Sequence, residues 1–125
     1  MYKGIIIEES LRDPSVIKDL HILETNVESV TESHQTPWLK KWTLHTVEIP
    51  DEKGDDIAEA LSHSLLADPS SWYADFKNQT THIIIFPGRV FHVDRIHPEG
   101  YESVKAYGLS LGIPGHQLDF SPEIR

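Results

Sequence analysis

The sequence predicts an α+β domain in which helices pack against an antiparallel sheet. Its apolar residues come in short clusters separated by Pro, Gly and Asp, as in a globular protein. Several segments alternate apolar and polar residues, which is typical of strands, and others repeat apolar residues at helical spacing. With 125 residues, of which 38% are hydrophobic, the chain has the size of one domain spanning residues 1–125.

The first half of the chain predicts three strands and one short helix. The strands are Gly4–Glu9, His21–Val30 and Lys41–Ile49. A helix beginning at Asp13-Pro14 separates the first two strands, because Asp13 can cap it and proline suits its first turn. The alternation in the second strand favours one core face, formed by Leu23, Thr25, Val27 and Ser29.

The clearest helix follows the turn at residues 51–54. Its apolar stripe consists of Ile57, Ala58, Leu61 and Leu65. Asp56 and Glu59 have the spacing of a capping box, and Asp68-Pro69 ends the helix. We therefore expect Asp56→Ala to lower stability by about 1 kcal/mol through loss of the cap.

The second half of the chain predicts a strand, a hairpin and a final helix. In chain order these are strand Trp72–Lys77, strands Thr81–Phe86 and Arg89–Arg95 about a Pro87-Gly88 turn, and a helix from near Pro98 to a Gly112 cap. Pro-Gly at the centre of the turn favours type II geometry. One more strand is expected in the tail, around Gln117–Phe120.

The order of these elements predicts a ferredoxin-like sheet. Strand, helix, two strands, helix and strand match the split βαβ arrangement, to which the chain adds a β-hairpin and a C-terminal helix. This fold supports many unrelated activities, so function has to be argued from individual residues.

Composition excludes several classes of function. The net charge is −9, from 20 acidic and 11 basic residues, which disfavours binding to nucleic acid or to anionic membranes. The chain has no cysteine, which excludes disulfides, thiol catalysis and cysteine-ligated metals. No run of apolar residues resembles a signal peptide or a spanning helix, so we expect a cytoplasmic protein.

Eight histidines are many for this length, and one cluster suggests a metal site. Strand alternation places His92 and Asp94 on one face, about 7 Å apart along the chain, and His97 follows at the strand exit. Two imidazoles and a carboxylate could bind a divalent metal such as zinc, with His34 or His45 as further ligands. The plainer interpretation is an exposed histidine followed by a helix-start turn.

The expected hairpin register separates two of the histidines. With a two-residue loop, Phe86 faces Arg89, Ile83 faces His92 and His82 faces Val93. His82 and His92 then lie on opposite faces and cannot bind one metal together.

Both faces of this hairpin are apolar near its middle. We expect the helices to cover one face only, so that the face containing Ile83, Ile85 and Val90 is covered by the added hairpin elements, by the C-terminal tail or by a second subunit. Uncovered apolar sheet of this kind commonly marks an interface. The sequence therefore predicts a homodimer or a higher homo-oligomer.

A second candidate site consists of polar residues on strand Trp72–Lys77. Tyr73, Asp75 and Lys77 alternate with core residues and could bind a polar ligand, although an ordinary surface charge pair also explains them. The polar loop before the third strand adds His34 and Trp38 as candidate ligand-binding residues.

Two functions fit these observations. The first is a non-catalytic module that binds a small molecule or regulates, and that acts as a homo-oligomer. The second is a small metal-dependent enzyme, hydrolase-like, that uses His92, Asp94 and His97. The first is favoured, because the chain has no recognisable catalytic motif and each histidine has a structural explanation.

Overall fold

The computed structural model describes residues 1–18, 20–32, 36–68 and 71–118, and within them one antiparallel sheet is flanked by two α-helices. The strands are β1 (Tyr2–Ile7), β2 (His21–Ser29), β3 (Lys41–Ile49), β4 (Ala74–Lys77), β5 (Thr81–Phe86) and β6 (Arg89–Asp94). The helices are α1 (Gly54–Ser64) and α2 (Gly100–Ser110). The strand order is β2-β3-β1-β4-β5-β6.

The α+β class is confirmed, but the ferredoxin-like topology is not. The strand order and the number of helices both differ from a split βαβ arrangement. The reason lies between β1 and β2, where Pro14–Ile17 forms only a short 3-10 turn. Strands β1 and β2 both run antiparallel to β3, which lies between them, so the connection from β1 to β2 crosses β3 through 3-10 turns and not through an α-helix.

The predicted cap at the start of that turn is present. Asp13 Oδ1 accepts a hydrogen bond of 3.0 Å from the backbone N–H of Ser15. This bonding to Ser15 holds the pKa of Asp13 below its usual value.

The two helices cover opposite sides of the sheet. Side chains of α1, Ala58 and Leu61, pack in one core cluster with Ile83 and Ile85, and Val90 packs against that cluster. On the other side, α2 covers a second cluster that contains Ile84, Phe86, Val93, Tyr101 and Val104. The expectation that no helix covers the Ile83 face was therefore wrong, because α1 lies on it.

Helix α1 begins three residues earlier than predicted, because its N-cap is Lys53 where Asp56 was expected. The 3-10 turn Asp51–Lys53 runs directly into the helix at Gly54, and no side chain caps its first turn. Asp56 is the third helical residue instead of the cap. Its expected contribution is therefore the smaller one of an acid near a helix N-terminus, about 0.3–1 kcal/mol.

The predicted register of the β5–β6 hairpin is confirmed. Phe86 pairs with Arg89, Ile83 with His92, and His82 with Val93. Gly88 has φ of 74°, as the third position of a type II turn requires. His82 and His92 consequently lie on opposite faces of the sheet.

The prediction for β2 was wrong, because this strand has no core face. All nine of its residues are exposed, including the expected core residues Leu23, Thr25, Val27 and Ser29. The strand lies at the edge of the sheet and pairs only with β3, with a bulge between Ile22 and Glu24. Alternation alone does not distinguish an edge strand from one that is covered by a helix.

The segment after α2 differs from its prediction as well. Gly112 ends the helix with φ of 88°, as expected. Gly115–Gln117 then forms a 3-10 turn where a strand was predicted, and Asp119 and Phe120 lie outside the described residues. Neither α1 nor α2 has the length and apolar character needed to cross a bilayer.

Candidate functional site

A groove runs over the side of the sheet that carries α2, beyond the area this helix covers. It consists of two adjoining cavities of about 240 Å³ each, and Ile5 and Asp75 line both. Together they fall within the size range of ligand pockets, roughly 300–1,000 Å³. We call this feature the β1 groove, since side chains of β1 form its floor.

One end of the β1 groove is apolar. Ile5 and Ile7 of β1 lie beside Leu44 of β3, and these side chains are only half-buried because no helix lies over them. The rings of Trp42 and Trp72 form a wall, with their centroids 5.1 Å apart. Such a surface would bind the apolar part of a ligand.

The segment after α2 closes this end of the groove. Ile113 and Gln117 contribute to its lining. Tyr73 donates its hydroxyl hydrogen to the backbone carbonyl of Gln117, which holds the segment against β4.

The other end of the β1 groove is charged. It is lined by Lys3 and Lys77, which are cross-strand partners, and by Glu24, Thr46 and Asp75. Both signs of charge are therefore present within one cavity. This arrangement suits a ligand head that carries an amino group and an acidic group, because each would find an opposite charge.

Asp75, where the two ends meet, is held by a hydrogen-bonded chain. Its Oδ2 lies 2.6 Å from Nε2 of His82, and Nδ1 of His82 lies 2.8 Å from the hydroxyl of Tyr101. With Asp75 ionised and the imidazole neutral, the proton on Nε2 is donated to Asp75, and Nδ1 accepts from the phenol. His82 is fully buried, whereas the Asp75 side chain remains 30% exposed.

The electrostatics of Tyr101 keep it a donor. Burial raises the pKa of the Tyr101 phenol; the positive charge of Arg95 opposes this shift, and the negative charge of Asp75 adds to it. The phenol is therefore protonated at neutral pH. The hydrogen bonds that link Tyr101 to His82 and His82 to Asp75 fix the orientation of the Asp75 carboxylate.

The structure brings together part of the predicted ligand site. Asp75 and Lys77 share one face of β4, as the alternation predicted, Tyr73 directly precedes this strand, and all three line the β1 groove. Trp38 is 46% exposed in the loop before β3 and is not among the residues that line the groove. His34 lies outside the described residues.

The histidines of the metal hypothesis do not converge. His92 Nε2 bonds Asp55 Oδ1 of α1 at 2.8 Å, on the exposed surface. His97 lies 4.0 Å from Asp94 and 3.4 Å from Glu99, and all three are exposed. Across the described ranges, no three potential ligand side chains are arranged to hold a metal ion.

His45, another possible ligand, bonds two protein side chains. Its Nδ1 lies 2.9 Å from the hydroxyl of Thr25, and its Nε2 lies 3.1 Å from Glu8. The ring is 8% exposed and fastens the turn after β1 to β3. The geometry therefore gives the metal hypothesis no support.

Sequence reasoning missed several residues of the site. Trp42 and Leu44 appeared only as strand residues, and the chain Asp75–His82–Tyr101 was not anticipated. One signal was present: His82 interrupts an otherwise apolar strand, and a buried imidazole needs polar partners.

No family model matches this chain, and no curated protein or solved structure matches it either. The groove and its charges are therefore the basis for assigning a function.

Proposed function

We propose that this protein is a small-molecule-binding module and that the β1 groove is its binding site. The observation that carries this proposal is a pair of adjoining cavities, one apolar and one of mixed charge, which share Ile5 and Asp75. The ligand that fits it has an apolar body and a zwitterionic head. We further propose that the protein is a homo-oligomer in the cytoplasm, because a chain without cysteine fits a reducing compartment.

Binding is favoured over catalysis because the reactive groups of the network point away from the groove. His82 is fully buried and Tyr101 is 6% exposed, and neither lines the groove. Of the three residues, only Asp75 can touch a ligand. It would bind an amino group by a charge-assisted hydrogen bond.

The apolar end would hold the body of the ligand against the tryptophan wall. Burying an apolar body of this kind gains roughly 25 cal/mol per Å² of apolar surface removed from water. Lys3, which lines the charged end of the groove, is placed to bind the acidic group of the head.

The proposal can be tested with three related probes. L-phenylalanine carries both charges, 2-phenylethylamine lacks the carboxylate, and 3-phenylpropionate lacks the amine. We expect L-phenylalanine to bind most tightly, measured by calorimetry and by the fluorescence of Trp42 and Trp72.

Two variants assign the charges of the head. Asp75→Asn is expected to weaken binding of both amine-bearing probes by about tenfold, equivalent to about 1.4 kcal/mol, and to leave 3-phenylpropionate unchanged. Lys3→Gln should show the opposite selectivity. Glu102→Gln, an exposed acid on α2, is the matched control and should leave all three affinities unchanged. If no probe binds at millimolar concentration, the proposal is wrong.

A further inference from the structure

The outer edge of β2 has the properties of an interaction surface. The strand is nine residues long and pairs only with β3, so along the described chain its other edge has no strand neighbour. Exposed edges present a row of unpaired N–H and C=O groups to another strand. Natural proteins protect such edges with charged side chains, proline or bulges; β2 has no lysine or proline, and its bulge lies near one end, between Ile22 and Glu24.

Exposed apolar side chains accompany this edge. Ile22, Leu23 and Val27 are 39%, 43% and 60% exposed, and they account for three of the seven large hydrophobic side chains found exposed in the described ranges. Their position on the one strand with an open edge indicates that the edge and the apolar surface serve one contact.

We propose that β2 pairs antiparallel with β2 of a second copy of this chain, with the two-fold axis at Thr25. Leu23 then faces Val27 of the partner subunit, and Glu24 faces Asn26 of the partner subunit, whose amide can donate to the carboxylate. The two sheets join into one, and α1 lies on the same side in both copies.

Charge selects this register over its neighbours. A two-fold axis at Asn26 would place Glu24 opposite Glu28, and an axis at Glu24 would pair that residue with its own copy. Like charges directly opposite each other destabilise a strand pair, the more so between chains of net charge −9. The axis at Thr25 pairs Leu23 with Val27 and each acid with an uncharged residue, Glu24 with Asn26 and Glu28 with Ile22.

This inference gives a surface to the self-association in the proposed function and rests on that part of it. Ligand binding in the β1 groove stays within one copy. The two parts can therefore fail separately. Glu24 belongs to both proposed surfaces: it lines the charged end of the groove, and it would lie beside Asn26 of the partner subunit.

The absence of cysteine makes cross-linking a direct test. At the proposed axis, the two copies of residue 25 have Cβ atoms about 4.5–5.5 Å apart. Thr25→Cys is therefore expected to form a disulfide-linked dimer readily under mild oxidation. Ser29→Cys is the matched control, because its two copies would be about 26 Å apart along the strands.

Thr25 also bonds His45, so a second variant tests the same register with this hydrogen bond intact. The double variant Leu23→Cys/Val27→Cys keeps Thr25 and should cross-link as well, whereas Val27→Cys alone should not. Unmodified protein should sediment at twice the 14.2 kDa of one chain, and Val27→Lys should weaken the dimer at least tenfold.

Two results would overturn the inference. One is a wild-type monomer at the highest micromolar concentrations together with no cross-link in either variant. The other is a dimer in which Thr25→Cys and the double variant cross-link no faster than Ser29→Cys. In the second case another surface, or residues 119–125 of the same chain, would occupy the edge.

Discussion

Replacing Gly4 by alanine is expected to lower the free energy of unfolding by about 3 kcal/mol or more, at the upper end of the usual cost of overpacking. An added Cβ would lie 2.0 Å from the carbonyl oxygen of Asp75 and 2.6 Å from Cα of Phe76. Both are backbone atoms, which cannot rotate out of the way as a side chain would. Strands β1 and β4 would have to move apart.

The damage would extend beyond one contact, because β1 and β4 join the two halves of the sheet. Their pairing links β2-β3-β1 to β4-β5-β6, and it also sets the position of Asp75 over the groove. Chemical denaturation measures the loss, and the probe affinities measure the displacement of the site.

Gly115→Ala is the matched control. A Cβ there would lie 3.8 Å from a methyl group of Leu109, an ordinary contact, so the free energy of unfolding should change by no more than about 0.5 kcal/mol. If Gly4→Ala is as stable as Gly115→Ala, β1 and β4 do not lie as close together as described.

Replacing His82 by leucine is expected to cost about 2–3 kcal/mol. Leucine is close to histidine in volume, so little cavity is left. The cost arises because Asp75 and Tyr101 both lose their hydrogen bond to the imidazole in a largely buried place. We also expect weaker binding of L-phenylalanine, although His82 does not line the groove, since Asp75 would lose its fixed orientation.

A double-mutant cycle tests the same chain of bonds. Tyr101→Phe alone should cost about 1 kcal/mol, and His82→Leu combined with Tyr101→Phe should cost clearly less than the two single changes together. Strictly additive costs would show that the two side chains do not interact. If His82→Leu binds the probes as tightly as the wild type does, the hydrogen bond from His82 is not needed to orient Asp75 for binding.

The parts of the fold that the sequence predicted are those set by local rules. The β5–β6 register follows from a two-residue loop, and β4 follows from alternation that buries Ala74 and Phe76. The cap of α2 follows from Gly112, whose positive φ a glycine adopts without strain.

What the sequence did not predict depends on which elements meet. The alternation of apolar and polar residues in β2 is the same whether a helix covers the strand or solvent surrounds it. Asp75, His82 and Tyr101 come from two strands and a helix, and no local pattern places their side chains in line. The three members of the site that were predicted lie in one short segment: Asp75 and Lys77 belong to β4, and Tyr73 directly precedes it.

The central place of β1 has a consequence for how the chain reaches its native state. Residues 2–7 leave the ribosome before both of their neighbours, β3 and β4, have been made. The pairs β2–β3 and β5–β6 can form between consecutive segments, but the middle of the sheet must close over long stretches of chain. Non-local pairing of this kind slows folding. During synthesis Ile5, Ile6 and Ile7 therefore remain unpaired until β3 has been made.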